Sequence, residues 1–226
     1  MNMSGNNMEI EEIIEKQDVE LLSSYLEEHS FKVGPQRAIM KKIAASSWNV
    51  DGFKDYSSIL KWYWFNINLL RFKNFDDTMI FIDQNLDYFT SWYSVDGSLM
   101  FIKRKGLTFE KIYDFAKRYT KDRKREFVCR LGYFLFFMCP LTDEQIEKIE
   151  KLLHDDERYY VQMMEAWLLC EMVVRNPLKG YEVLKRSTLK YNILGKAIQK
   201  CQDSFRIKED MKINIKNLRE EKRLIK

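Results

Sequence analysis

Residues that make turns are scarce in this chain, which has 8 glycines and 3 prolines among its 226 residues. A sandwich or barrel of short strands needs a turn roughly every ten residues, so the shortage argues against an all-β fold. Metal ligands are just as thin. The four cysteines (Cys129, Cys139, Cys170, Cys201) are scattered without a C-x-x-C pair, and His29 and His154 are the only histidines. No zinc site and no cofactor are expected, and the thiols are expected to be reduced. There is no long apolar run either. "LGYFLFFMCPL" is about half the roughly 20 residues that a membrane helix needs, and "MNMSGNNMEIEEIIEK" lacks the apolar centre of a signal peptide. The expectation is a cytoplasmic, monomeric protein with no membrane contact, in which residues 1–7 form a flexible leader and 8–226 a single domain.

What the chain does have is apolar side chains at helical spacing. Hydrophobic residues make up 46% of the chain and aromatics 14%, enough for a sizeable core. Ile10, Ile13, Ile14, then Leu21, Leu22, Tyr25, Leu26, then Ile39, Ile43, Ala44 outline three helices. "SILKWYWFNINLLRF" and "DDTMIFIDQNLDYF" outline two more, the latter with acids suited to a helix N-terminus. Further helices are expected at about 90–103, 107–120, 123–138, 142–153, 158–175, 178–186, 191–205 and 209–223. "LTFEKIYDF" and "LTDEQIEKI" carry capping threonines, and Pro177 suits a first helical turn. The fold class is all-α. Short amphipathic helices with short connections pack as stacked antiparallel pairs, which predicts a HEAT-like α-solenoid with a concave basic face; a compact bundle is the alternative.

Charge is uneven. Residues 1–30 hold eight acids against one lysine, whereas residues 101–130 hold eleven Lys/Arg against four acids. The second segment includes Lys103, Arg104, Lys105, Arg123 and Lys124. Such a field suits a polyanion, although solvated helix faces give the same pattern.

Four features sit badly in a simple core. In "SWYSVD", Trp92 and Asp96 are four apart and share a helix face; the plainer reading is a packed indole beside a capping acid. Arg130, in "EFVCRLGYFLFF", starts a segment that turns wholly apolar, so it requires an anion, either Asp96 or a phosphate. Trp167 lies in "YYVQMMEAWLLCEM", where Trp167, Tyr159 and Tyr160 would each most often be core. Lys196 and Lys200, in "YNILGKAIQKCQDSFRI", are four apart and repel unless a polyanion lies across them.

In order, "FIDQNLDYFTSWYSVD", "REFVCRLGYFLFF", "YYVQMMEAWLLCEMVVRNP" and "YNILGKAIQKCQDSFRI" resemble the bacterial DNA alkylation repair family of HEAT-like alkylpurine DNA glycosylases, the AlkD type. The resemblance spans roughly residues 30–220. It implies an α-helical solenoid cradling duplex DNA, and hydrolysis of the N-glycosidic bond of positively charged N3- or N7-alkylated purines without metal or cofactor. On matching positions it implies Asp96 as the catalytic carboxylate, Trp92 and Trp167 as active-site tryptophans, and Arg130 as a DNA contact. Lys103, Arg104, Lys105, Arg123, Lys124, Lys196 and Lys200 are then the candidate phosphate ligands. Ser91 and Val95 stand where similar proteins often carry Asn and Cys, and "VGPQRAIMKKIA" only partly matches the family's glycine-arginine-proline segment. A catalytically inactive DNA-binding paralogue and a protein-binding scaffold are the alternatives.

Overall fold

The structure is a computed structural model that describes residues 10–29 and 33–223. The expected leader, residues 1–7, lies outside the described residues. Among the described residues every regular element is helical, as the composition predicts, and none of the helices is long and apolar enough to cross a membrane.

The chain forms two compact units. The first holds the described residues up to Asn85 together with Met100–Gly106; the second holds Leu86–Leu99 and the described residues from Leu107 onward.

In the first unit, α1 (Ile10–Lys16), α2 (Val19–His29), α3 (Val33–Ala45), the short α4 (Phe53–Tyr56), α5 (Ser58–Arg71) and α6 (Phe75–Gln84) follow one another. Helix α5 is its centre, and "WYWFNINLL" is buried along nearly its whole length. Its last residue closes the neighbouring helix. The Arg71 guanidinium donates to the carbonyls of Ile43 (3.3 Å), Ala44 (3.4 Å) and Trp48 (2.7 Å), satisfying carbonyls that the end of α3 leaves open. Helix α6 starts as the sequence suggested. Asn74 accepts from the Asp77 N–H at 2.9 Å, and Asp76 and Asp77 sit in the first turn. Residues 100–106 join this unit as a loop, held by the Phe75 N–H donating to the Lys105 carbonyl at 2.8 Å. Gly106, at φ +80°, takes the left-handed conformation that ends the loop.

The second unit contains α7 (Trp92–Leu99), α8 (Phe109–Tyr119), α9 (Glu126–Leu135), α10 (Asp143–Glu150), α11 (Tyr159–Arg175), α12 (Pro177–Arg186), α13 (Tyr191–Asp203) and α14 (Glu209–Arg223). The helix expected over 90–103 stops at Leu99, so Lys103–Lys105 lie on the loop of the first unit. Thr108 and Thr142 cap α8 and α10, the latter in a full capping box with Gln145. Pro177 opens α12 behind an Asn176 cap. Alternate helices touch in succession: α7 meets α9, α9 meets α11, and α11 meets α13. Gly180 lets α12 lie directly on the α11 backbone, since a Cβ there would stand 2.4 Å from the Met172 carbonyl carbon.

Side-chain pairing fixes the direction of this row. Arg130 and Phe134 of α9 meet Tyr160 and Trp167 of α11, and Lys196 and Lys200 of α13 meet Tyr159 and Trp167. Both pairings advance in the same sense along the chain, so α9, α11 and α13 run parallel, with α10 and α12 returning the chain between them.

Candidate active site

The first turn of α7 is set by two serines. The Ser94 N–H donates to the Ser91 hydroxyl and the Ser91 N–H to the Ser94 hydroxyl, both at 3.2 Å. This is the reciprocal closure of a capping box, with serine in the place usually taken by Glu or Gln. Val95 is fully buried and anchors the helix. Trp92 is then left 49% exposed, and the Asp96 side chain 23% exposed.

Arg130 reaches Asp96 from α9. Its Nε donates to Oδ1 at 3.0 Å and its Nη2 to Oδ2 at 2.7 Å, while Nη1 donates to the Tyr160 carbonyl at 2.9 Å. The arginine side chain is only 6% exposed. Of the two partners that the sequence allowed for this cation, it meets the carboxylate. A fork-on-fork pair fixes the plane of the carboxylate as well as its position. An ionised carboxylate has about four acceptor sites and Arg130 takes two, so the solvent side of Asp96 can still accept from a water. Arg130, buried and facing Asp96, is placed to act on a ligand through that carboxylate.

Trp167 lies seven residues beyond Tyr160, about 10 Å along the same helix. It is half-buried. Phe134, one turn after Arg130, packs on it at 5.6 Å between ring centres and Phe137 meets it edge-on at 4.9 Å. Lys200 places its ammonium 5.6 Å from the Trp167 ring centre, and Lys196 lies 5.3 Å from that of Tyr159 while donating to Gln162 at 3.3 Å. Two lysines one turn apart are thus seated over two aromatic faces, within the range of cation–π attraction. Tyr159, which a simple core would bury, is 58% exposed.

The other basic candidates divide. Lys124 is exposed. Its loop is shaped by Asp122, which accepts from the N–H groups of Lys124 (3.0 Å) and Arg125 (2.8 Å). Arg123 is directed at Asp156 at 3.3 Å, yet its side chain stays 63% exposed. Lys103, Arg104 and Lys105 lie in the first unit.

Behind this surface lies a buried polar cluster that sequence reading did not assemble. Glu165, fully buried on α11, accepts from the His154 N–H at 2.9 Å through Oε1, while its Oε2 has no partner. Burial pushes its carboxyl up to about 8, against the opposing effect of the His154 N–H. Burial also favours the neutral form of Asp156. Hydrogen bonds from the Arg158 side chain and N–H and from His154 outweigh that effect and hold it well below the usual carboxylate range. Cys129, His154 and Asp156 bring three potential metal-ligating atoms together. Each already has a protein partner: Asp156 accepts from Arg158 at 2.7 Å, His154 meets the Tyr133 hydroxyl at 2.7 Å, and the Cys129 thiol donates to the Thr120 carbonyl at 3.3 Å. Burial pushes that thiol up to about 12. The group is therefore knit as an ion-pair and hydrogen-bond network, with two arginines paired to Asp156.

Compared with protein-family models, curated proteins and solved structures, the chain has no significant match.

Proposed function

We propose that this chain is a DNA glycosylase that hydrolyses the N-glycosidic bond of N3- or N7-alkylated purines in duplex DNA, as a base-excision repair enzyme. In this reading the parallel row of α9, α11 and α13 belongs to a HEAT-like solenoid, and its basic concave face cradles the duplex. The observation that carries it is the Asp96 carboxylate, oriented by two hydrogen bonds from a buried arginine and left partly open beside an exposed indole.

The chemistry suits the substrate. An alkylated purine already carries positive charge and leaves without much protonation, so the barrier lies in the cationic character that develops on the sugar. A preoriented anion lowers that barrier, and one that also holds a water directs its attack on C1′. In the proposal Asp96 takes both roles, and Arg130 is a positioning residue that keeps the carboxylate in plane. Trp92 packs on the deoxyribose and attracts the cationic lesion. Trp167 continues the wall and seats Lys200, which with Lys196, Arg123 and Lys124 holds phosphates. No metal or cofactor enters the step.

A direct test incubates the pure protein with duplex DNA containing 7-methylguanine and separates free base by chromatography. Release by the wild type that falls at least about a hundredfold in Asp96→Asn supports the proposal. Tight, salt-sensitive binding without any release would replace it with the reading of a DNA-binding paralogue. One observation favours that second reading: both Asp96 oxygens already accept from Arg130.

A further inference from the structure

The first unit contains a hollow of about 350 Å³ that the proposed excision chemistry does not use. Its lining is part cationic, with Arg37 and Lys41 from α3 and Lys103 and Arg104 from the 100–106 loop, and part apolar, with Leu70, Met100, Phe101 and Ile102. Arg37 and Lys41 are four apart on one helix, where like charges repel. Among the described residues none of the four cations forms an ion pair. The Arg37 Nε is shielded from solvent and has no hydrogen-bond partner. A buried N–H of a charged group without an acceptor is costly and rare.

Rigid supports hold these groups together. Arg71 closes the end of α3, and the Phe75–Lys105 backbone bond together with the left-handed Gly106 fixes the loop. Four cations gathered around one hollow, with no ion pair among the described residues, favour an anion carrying more than a single negative charge. A phosphodiester brings one. A phosphomonoester brings about −1.5 to −2 at neutral pH, with three acceptor oxygens. The volume exceeds that of a bare phosphate, and the apolar part of the lining suits a compact organic group attached to it. We infer that this hollow binds a phosphomonoester bearing a nucleoside-sized group, with the Arg37 guanidinium and its neighbouring cations meeting the phosphate and the apolar lining receiving the rest. The source is either a free nucleotide or the 5′-phosphorylated end of a DNA strand. The inference does not depend on the glycosylase reading.

The test follows the Arg37 Nε–H resonance of the ¹⁵N-labelled full chain while thymidine 5′-monophosphate is added at constant ionic strength. The expected result is a saturable shift, with affinity reduced about ten- to hundredfold in Arg37→Gln and in Arg104→Gln while circular dichroism stays unchanged. Dimethyl phosphate, a diester, is expected to bind several-fold more weakly. Oligonucleotides with a 5′-phosphate or a 5′-hydroxyl distinguish the sources. Displacement of the nucleotide by the phosphorylated strand alone assigns the hollow to a DNA end; displacement by neither assigns it to a free nucleotide. No saturable shift at millimolar nucleotide, or equal binding by the wild type and the folded Arg37→Gln/Arg104→Gln variant, would overturn the inference. Base release from 7-methylguanine DNA reads the excision site separately.

Discussion

Removing the charge at Asp96 should destabilise the second unit as well as stop chemistry, and the size of that effect can be worked from the Arg130 geometry. Arg130 makes three hydrogen bonds, two of them to Asp96, with a side chain only 6% exposed. Asparagine keeps one acceptor oxygen but turns an amide donor toward the guanidinium and leaves its charge uncompensated. Breaking a fully buried pair from one side costs about 3–5 kcal/mol. Asp96 is 23% exposed, so water recovers part of the solvation, and a loss of about 2–4 kcal/mol is expected. Urea unfolding of wild type, Asp96→Asn, Arg130→Gln and the double variant forms a mutant cycle. The double variant should be less destabilised than the sum of the singles by about 1–3 kcal/mol. A loss below about 0.5 kcal/mol for Asp96→Asn, the range of an exposed surface pair, would refute the claim that the carboxylate is structurally held. Excision by Asp96→Asn must therefore be measured where it is fully folded.

Glu165→Gln should remove a pH dependence. Its folded-state value of about 8 lies above the ordinary carboxyl value of 4.5, so the folded protein holds a proton that the unfolded chain releases. The associated stability is complete below the ordinary value and is lost as pH rises through about 8. Stability of the wild type relative to Glu165→Gln, followed by urea midpoints, should fall between pH 5 and 9. Gly180→Ala should destabilise by about 1–3 kcal/mol or more, since its Cβ would stand 2.4 Å from α11 backbone atoms that cannot turn aside; thermal unfolding reads this. Lys200→Met should keep the packing on Trp167, weaken duplex binding at all sequences and reduce the slope of log affinity against log salt by about 1.

Much of the second unit could be read from its sequence, because its helices carry local punctuation. Thr108, the Thr142–Gln145 box and Pro177 mark the starts of α8, α10 and α12 where the sequence places them. The Trp92/Asp96 spacing and the isolated charge at Arg130 identified two side chains that meet across 34 positions. Other features rest on tertiary encounters that leave no local trace. Tyr160 contributes through its backbone carbonyl, which any residue would supply. The Ser91–Ser94 closure is visible in "SWYS" only if serine is admitted at the third helical position. The cluster of Glu165, His154 and Asp156 joins the interior of one helix to the loop before it. Arg37 and Lys41 gain meaning only beside Lys103 and Arg104, more than sixty positions away in sequence. Helix α7 ends four residues before the expected 103, because "MFIK" continues the apolar pattern yet turns into the loop of the first unit.

The account turns on whether the Asp96 carboxylate stabilises a sugar cation, and single-turnover excision of 7-methylguanine by folded wild type and folded Asp96→Asn, with duplex affinity measured in parallel, tests it most directly. The prediction is a rate loss of about 10²–10³ in the variant with affinity changed by less than about threefold, because phosphate contacts carry the binding. Equal rates in the two proteins, or a wild type that binds the duplex and releases no base, would contradict it.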